Sequence, residues 1–520
     1  MNEELNFVAI DVDLRKRVPM RQMSPDQAVT TFDEHVATYT PEEAMAEARR
    51  ALEAGFDLEA SREGCPFKVD IPAYVRKVAE GNFDEARAII AQAHPFPSIF
   101  GRMCHWFCER HTPVLLDVGV RDPDWKPPEW RIAPHPDAIL ARPAAPTRGE
   151  SAQQLQSLEG ARREERGIEK PNLLPLERFV GDYGDPALTP FVQLRPPSGA
   201  RVAVIGAGSG GLAAAWMLRR LGHEVDIFDA LSVPGGMLLQ GYPPFRMAKF
   251  GVRRDNDPTA WGARFFGGRY LTKEEIEHII DDYAYTVLAV GGSFARRLGI
   301  PGEDAEGVWP GLDFITEVSL GSPPAVGARA IVVGAGSTAH DAARTARRLG
   351  CEVKIVYRRS VDQMPVGERE PAMYVRNMAR EGIEYVFLAS PVRILADQDN
   401  RVTGVEFVRM ELGEVDASGR SSVQPIPDSN FVMECDLVLE AVGEIIDLSI
   451  IPDSVEHNGD EVIVDRADHR TSNPKVFAGG DLIGDKGNDG AALAGIQTAY
   501  TIDSLIRGEP IKTFDSRPLR

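Results

Sequence analysis

The sequence predicts an α/β protein in which one parallel-sheet domain is nested inside another, behind a helical N-terminal segment. Two observations predict it. A strand-like run that leads into a glycine-rich turn and a helix occurs twice. Residues 41–112 instead have a helical composition, with acidic residues early and arginines late in the first helix. The chain has 520 residues, more than one hydrophobic core usually serves, so we expect several domains.

The repeated motif is a short apolar strand followed by a tight glycine turn, with strands at 202–205 and 330–333. Such a turn aims backbone N–H groups and the positive end of a helix dipole at a pyrophosphate. Each motif therefore predicts a dinucleotide site, and hydride transfer is the simplest reason for holding two dinucleotides. The turn residues are Gly206, Ala207, Gly208, Ser209, Gly210 and Gly211 at the first site and Gly334, Gly336, Ser337, Thr338 and Ala339 at the second.

The strands that follow the two motifs end in side chains of opposite charge. Asp229 ends the first, and an acid about 20 residues past the turn can accept hydrogen bonds from a ribose hydroxyl. Arg358 and Arg359 end the second, where guanidinium groups can bind a 2′-phosphate. The sequence therefore predicts FAD at the first site and NADPH at the second. The alternative is that the arginines are solvated and that the enzyme prefers NADH.

The C-terminal part predicts a return of the chain to the first domain. A short apolar strand leads into Gly480 and Asp481, and a helix begins near Ala491 and includes Ala492. The acid can bind a ribityl hydroxyl, and the helix N-terminus can stabilise negative charge on a reduced flavin. The alternative is an acidic helix cap. In the second domain, the last strand run ends at Gly443, which we add to the nucleotide site.

Net charge, apolar stretches and cysteine spacing argue against several kinds of partner and function. The formal net charge of −20 argues against nucleic acid and against anionic membrane as main partners. No apolar stretch approaches the roughly 20 residues that span a bilayer, and the acidic N-terminus lacks a signal-peptide pattern, so we expect a cytoplasmic protein. The five cysteines form no Cys-x-x-Cys dithiol, which weakens a disulfide-reductase function.

Several strings resemble the small (β) subunit of NADPH-dependent glutamate synthase and its relatives, which include the N-terminal half of dihydropyrimidine dehydrogenase. The resemblance covers 41–112 and 171–507, and its strings include Gly64-Cys65-Pro66, Gly101-Arg102-Met103-Cys104 and Tyr357-Arg358-Arg359-Ser360. It implies two nested Rossmann-like dinucleotide-binding domains, disulfide-reductase-like, preceded by an α-helical iron–sulfur domain. It also implies that the loop with Gly236 and Met237 packs on the flavin and that Arg246 contacts FAD.

The family usually carries two four-iron clusters, and the resemblance implies that this chain retains only the second. The first lacks its cysteines, because residues 51–58 contain none and Thr112 stands at another ligand position. The ligands implied for the second are Cys65, Cys104, Cys108 and Glu177. The alternative is a vestigial helical domain with buried free cysteines. His105 and His111 are more simply surface or packing residues.

The domain limits expected from these patterns are an N-terminal arm at 1–40, a helical iron–sulfur domain at 41–112, a proline-rich insertion or linker at 113–170, the first part of the FAD domain at 171–325, the NAD(P) domain at 326–444 and the second part of the FAD domain at 445–520.

The sequence thus predicts an NAD(P)H-linked flavoprotein subunit in a hetero-oligomer. Electrons would pass between nicotinamide, FAD and one [4Fe-4S] cluster, to or from a catalytic partner subunit with its own redox centres, and their direction stays open. Residues 113–170 are a candidate docking element for that partner. The alternatives are a non-catalytic assembly subunit that holds FAD and a stand-alone flavin reductase.

Overall fold

A computed structural model describes residues 13–104, 107–110, 112, 169–365, 371–415, 421–485 and 487–511. His105, His111 and residues 113–168, which make up nearly all of the predicted insertion, lie outside the described residues.

The N-terminal segment is helical, as its composition indicates. Thr40 and Glu43 form a reciprocal capping box that begins the second helix, which satisfies N–H groups that a helix start leaves unpaired. The helices are α1 (Pro25–Ala28), α2 (Pro41–Glu53), α3 (Leu58–Gly64), α4 (Ile71–Ala79), α5 (Phe83–Ile90), α6 (Pro97–Met103), α7 (Phe107–Arg110) and α8 (Leu173–Tyr183).

Close contact between α6 and α8 depends on two glycines. A Cβ atom on Gly101 would lie 2.2 Å from the backbone nitrogen of Arg178, and one on Gly181 would lie 2.2 Å from that of Ser98. Each approach is far inside van der Waals contact, so only glycine permits this crossing. A buried ion pair between Arg87 and Asp255, 2.8 Å apart, joins the helical segment to the domain that follows.

The first Rossmann-like sheet is parallel throughout, with strand order β16-β4-β1-β2-β3. The last strand returns from the C-terminal part of the chain, as the sequence predicts. Its strands are β1 (Arg201–Ile205), β2 (Glu224–Phe228), β3 (Arg264–Phe266), β4 (Tyr285–Leu288) and β16 (Val476–Ala478). The helices around it are α9 (Ser209–Arg220), α10 (Met237–Gln240), α11 (Lys249–Asp255), α12 (Lys273–Asp282) and α16 (Asn488–Arg507).

The second sheet repeats this arrangement with strand order β6-β14-β7-β8-β9, again parallel. Its strands are β6 (Val308–Pro310), β7 (Arg329–Val333), β8 (Glu352–Tyr357), β9 (Ile383–Phe387) and β14 (Leu437–Glu440). Its helices are α13 (Gly311–Ser319), α14 (Ser337–Arg348) and α15 (Pro371–Arg380).

Two further sheets complete the described fold. Strands β10 (Ala389–Ala396), β11 (Val402–Val415), β12 (Ser421–Pro425) and β13 (Phe431–Glu434) form an antiparallel sheet inserted in the second domain. The sequence analysis did not anticipate this sheet. Strands β5 (Phe294–Ala295) and β15 (Glu444–Ile445) pair antiparallel where the chain passes between the two domains. The domain limits given above stay predictions.

Candidate functional site

A cavity of about 490 Å³ opens at the carboxyl end of the first sheet. Gly206, Gly208, Ser209 and Gly210 of the first motif line it, as the sequence predicts. Gly206 has φ +105°, and a Cβ atom there would lie 2.2 Å from the carbonyl oxygen of Ala289. The turn therefore requires glycine both for its conformation and for its approach to the neighbouring strand.

Asp229 lies at the end of β2 and lines this cavity. Its carboxylate accepts hydrogen bonds from the backbone N–H groups of Ala207 (2.5 Å) and Leu231 (2.7 Å). Burial raises the pKa of Asp229, and these two hydrogen bonds oppose that rise. A carboxylate has about four lone-pair sites, so two remain for ribose hydroxyls.

The far side of the cavity is built by the returning C-terminal segment. Gly480 and Asp481 line it where the sequence places them, and α16 begins beside it at Asn488. Ala491 lines the cavity, whereas the predicted Ala492 is fully buried behind it. The helix start therefore presents its positive dipole end to the cavity.

Two side chains at this end of the cavity, Tyr242 and Asn488, were missed by the sequence analysis, whereas their partner Ser209 was predicted. Tyr242, Asn488 and Ser209 form a hydrogen-bonded chain. The Asn488 amide donates to the Tyr242 hydroxyl over 2.8 Å, and the Ser209 hydroxyl donates to the Asn488 side-chain oxygen over 2.7 Å. Burial raises the pKa of Tyr242 to about 12, so the phenol stays protonated. No local sequence signal could have found a chain that spans 279 positions.

Gly236 and Met237, which the resemblance places against the flavin, also line the cavity. Arg246, the third residue of that set, lies outside the lining. Its guanidinium donates to Asp341 of α14 over 2.5 Å and lies 5.2 Å from the Tyr242 ring centroid. The expected contact between Arg246 and FAD therefore stays a prediction, while the structure shows that this arginine joins the two nucleotide domains.

The second motif has the same local geometry as the first. Gly334 has φ +127°, and a Cβ atom there would lie 2.1 Å from the carbonyl oxygen of Ala441. Gly336 precedes α14, whose first turn contains Ser337, Thr338 and Ala339.

The second motif also bonds to the strand pair of β5 and β15. The Thr338 hydroxyl donates to Glu444 over 2.6 Å, and Gly443, which precedes Glu444, has φ +123°. The motif is thus bonded directly to the strand pair that connects the domains.

The two arginines predicted for the 2′-phosphate differ in their surroundings. The Arg359 guanidinium donates to the backbone oxygen of Ser421 over 2.9 Å, which holds it against β12. Arg358 is exposed at the end of β8, and it forms no hydrogen bond or ion pair with the described part of the chain. Of the two arginines, Arg358 is thus the one to which no described residue is bonded.

A helix that follows a strand of the second sheet reaches into the cavity of the first motif. Asp313 and Thr316, which stand one helical turn apart on α13, line the cavity together with Gln240 of α10. Burial raises the pKa of Asp313. The first cavity is therefore bounded in part by an element next to the second sheet.

The predicted cluster ligands come from four different segments of the helical domain. Cys65 follows α3, Cys104 follows α6, Cys108 lies in α7 and Glu177 lies in α8. Cys65, Cys108 and Glu177 are buried, and Cys104 is half-buried.

The helices that carry or precede these residues pack against one another: α3 against α7, and α6 and α7 against α8. Burial raises the pKa of Cys108, and the charges of Cys65, Glu109 and Glu177 raise it further. Burial raises the pKa of Cys65 to about 11. The structure thus brings the four predicted ligands into one region, where burial favours the protonated form of the Cys65 and Cys108 thiols.

The donor set consists of three thiols and one carboxylate, and thiolates are the usual ligands of iron–sulfur clusters. Within the described ranges no three Cys, His, Asp or Glu side chains could hold one metal ion. The Oε1 atom of Glu177 is buried and accepts no hydrogen bond from the described residues, although Nε2 of His94 lies 3.3 Å from it, so its lone pairs are open to a metal. The residues present therefore fit one [4Fe-4S] cluster.

The region of the first cluster is packed with side chains that do not bind iron. Thr112 is fully buried, and its hydroxyl lies 2.7 Å from that of Ser61 while it donates to the Cys108 backbone oxygen over 2.8 Å. Ala54 and Phe56, in the stretch that lacks cysteines, are buried in the hydrophobic core. The protein thus fills this region with packed and hydrogen-bonded side chains.

Two families match the chain. Pyridine nucleotide-disulphide oxidoreductase matches residues 200–501, and dihydropyrimidine dehydrogenase domain II, 4Fe-4S cluster, matches residues 28–115. The chain belongs to the pyridine nucleotide-disulphide oxidoreductase family. The predicted fold class and the predicted cofactors, FAD, NADP and a [4Fe-4S] cluster, are thereby confirmed at the level of the family.

Individual relatives give a more specific assignment than the family does. The chain is 30% identical to the glutamate synthase [NADPH] small chain of Azospirillum brasilense, over 91% of this chain and 90% of that protein. This confirms the resemblance to the glutamate synthase β subunit and makes the chain a member of an NAD(P)-dependent flavin oxidoreductase group.

Two longer relatives are each 33% identical. The NADPH-Fe(3+) oxidoreductase subunit beta of Geobacter sulfurreducens matches 75% of this chain and 52% of its own length. The NADP(+)-dependent formate dehydrogenase subunit beta of Moorella thermoacetica matches 85% and 59%. The chain thus spans somewhat more than half the length of these two relatives. Within the described residues, no helix is both long and apolar enough to cross a membrane.

Proposed function

We propose that this chain is the electron-transfer subunit of a larger oxidoreductase and connects NADPH, FAD and one [4Fe-4S] cluster to the redox centre of a partner subunit. Relatives are named as subunits of multi-subunit enzymes, which supports the presence of a partner. All five cysteines are free, which suits the reducing cytoplasm that we propose as its location.

One observation carries the proposal: side chains of α13, which follows β6 of the second sheet, line the cavity of the first motif. Asp313 and Thr316 lie on that lining, and the Arg246–Asp341 pair fixes the adjoining loop to the helix of the second motif. A nicotinamide held by the second motif would therefore lie beside a flavin held by the first. When bound, FAD would exchange a hydride with the nicotinamide and single electrons with the cluster.

The chain's own residues would bind and orient the two nucleotides. Asp229 would accept hydrogen bonds from the adenosine ribose of FAD, and Asp481 would do so from the ribityl chain. The start of α16 would stabilise negative charge at the reduced ring. Tyr242, which lines the cavity beside Asn488, would help to exclude water from a bound flavin.

Arg358 would select NADPH over NADH. It stands at the end of β8 in the second domain, and it is exposed. A guanidinium there can donate two parallel hydrogen bonds to a phosphate, and a 2′-hydroxyl offers no such partner.

The test is anaerobic reduction of the purified chain by NADPH. We expect bound FAD, about four irons per chain and bleaching of the flavin followed by the spectrum of a reduced cluster. A flavin that NADPH does not bleach would instead support a subunit that merely holds FAD. A bleached flavin whose electrons never reach the iron would contradict the relay.

A matched pair of variants tests the geometry. Asp341→Asn weakens the pair with Arg246 and should slow flavin reduction without loss of FAD. Lys354→Ala removes only an exposed ion pair with Glu384 on the same domain, 3.2 Å long, and should leave the rate unchanged. Equal rates in both variants would contradict the role given to the domain contact.

A further inference from the structure

We infer that His94 is the positioning residue for Glu177, the proposed oxygen ligand of the cluster; the inference rests on the proposed function. His94 precedes α6 and is 1% exposed. Its Nε2 atom lies 3.3 Å from Oε1 of Glu177. That oxygen accepts no hydrogen bond from the described residues, so His94 stands beside it at ion-pair distance and a small movement of the carboxylate would complete the hydrogen bond. Nothing in the motifs of the sequence pointed to this histidine.

The backbone fixes which ring nitrogen carries the proton. The N–H group of Phe96 donates to Nδ1 of His94 over 3.2 Å, so Nδ1 is an acceptor. In a neutral imidazole one nitrogen accepts and the other carries the hydrogen, so the proton lies on Nε2. The N–H bond of Nε2 is therefore on the side of the ring that faces Glu177.

Aromatic neighbours hold the ring in this orientation. The Phe67 ring lies edge-on at 5.0 Å between centroids, and the Phe100 ring lies at 4.8 Å. Both phenylalanines are buried, at 2% and 1% exposure. A ring enclosed in this way cannot turn to exchange its two nitrogens without displacing its neighbours, and water has little access to replace it.

The position of His94 affects the Glu177 oxygen that would bind iron. Groups that donate hydrogen bonds to a metal ligand orient it and change its electron density, and hydrogen bonding around a cluster contributes to its reduction potential. An N–H group beside the carboxylate withdraws charge from the oxygen and favours the reduced, more negative cluster. His94 would thus keep Glu177 aimed at the iron and raise the potential of the cluster.

The experiment compares His94→Phe with His223→Phe in the full chain, purified anaerobically with its cofactors. Phenylalanine keeps the ring and removes the donor. His223 is the matched control because it is also fully buried and its Nε2 lies 3.1 Å from Asp503, in the FAD domain. Iron content, the electron paramagnetic resonance spectrum of the reduced cluster, its midpoint potential and its rate of loss to a chelator are measured.

We expect His94→Phe to change the spectrum, lower the potential and weaken cluster retention about 10- to 100-fold, the range known for partners of metal ligands. His223→Phe should leave all four measurements unchanged. In a Glu177→Ala background, which removes the accepting oxygen, the further change from His94→Phe should be small, because the effect acts through Glu177. A cluster in His94→Phe that matches wild type in spectrum, potential and retention would overturn the inference.

The experiment distinguishes a variant that does not fold from a chain that holds no cluster. If His94→Phe does not fold, His94→Asn decides the matter, since asparagine can accept from Phe96 and donate to Glu177. We expect it to keep a spectrum and potential closer to wild type than those of His94→Ala, and equal values for the two would overturn the inference. A wild-type chain that holds no iron after anaerobic reconstitution would overturn the cluster itself, and so the proposed function as well.

Discussion

Replacement of Arg358 by alanine tests which nucleotide the second site binds. The side chain is exposed, and it makes no hydrogen bond or ion pair within the described residues. Its loss should therefore cost the fold little, and the effect should fall on a bound ligand. A hydrogen bond to a charged group contributes about 1.5–3 kcal/mol.

The exposure of Arg358 places the expected loss at the lower end of that range, because water and salt screen an exposed pair. About 1.4 kcal/mol corresponds to a tenfold change in an equilibrium constant. We therefore expect Arg358→Ala to raise the apparent dissociation constant of NADPH about tenfold. That of NADH, which lacks the phosphate, should stay within about twofold.

The assay follows bleaching of the flavin in stopped flow at increasing concentrations of each nucleotide. Arg359→Ala is the control, because the Arg359 side chain is already bonded to the Ser421 backbone. It should change the NADPH-to-NADH ratio less than Arg358→Ala does. An equal loss for both nucleotides in Arg358→Ala, or a larger change of the ratio in Arg359→Ala, would refute the assignment of the phosphate site.

Three further predictions follow from packing and charge. Gly101→Ala should destabilise the helical domain by about 1–3 kcal/mol in urea unfolding and lower its iron content, because the new methyl group would strike the Arg178 backbone at 2.2 Å; unchanged stability would contradict this close contact. Phe245→Ala should cost about 3–5 kcal/mol and speed amide exchange in α14, since the ring is fully buried with the Arg348 guanidinium 3.9 Å from its centroid; unchanged exchange would refute the role of the ring as a domain contact. Burial raises the pKa of Glu440 to about 7, so the folded state binds an extra proton and stability falls as pH rises from about 4.5 to 7. Glu440→Gln should therefore gain more thermal stability over wild type at pH 8 than at pH 5, and an equal gain at both would refute the raised pKa.

The nucleotide motifs could be read from the sequence because their signals are local. A strand, a glycine turn and a helix start occupy about a dozen consecutive residues, and the glycines are required by conformation and by close backbone approach. Gly206 and Gly334 show both requirements in the structure. Asp229 also lies where its spacing from the turn places it, at the edge of the first cavity.

The contacts between domains could not be read in this way. Arg246 and Asp341 are separated by 95 positions, and nothing near either residue identifies its partner. His94 carries no motif at all, and its relation to Glu177 arises only when α6 packs against α8. The antiparallel sheet from β10 to β13 is a different case. Part of β11 alternates between buried and exposed residues, and alternation of this kind is a local signal for a strand.

A buried ion pair joins the segments of the helical domain. A cluster ties together distant parts of a chain, and here Arg50 and Glu47, both fully buried, do so with charge and hydrogen bonds. Glu47 accepts hydrogen bonds from the backbone N–H groups of Val18 and Asn172, and Arg50 donates to the backbone oxygen of Glu169. Because such a pair costs more when one member is lost than it contributes when intact, it fixes these segments in one arrangement. The arrangement of these segments therefore does not depend on iron alone.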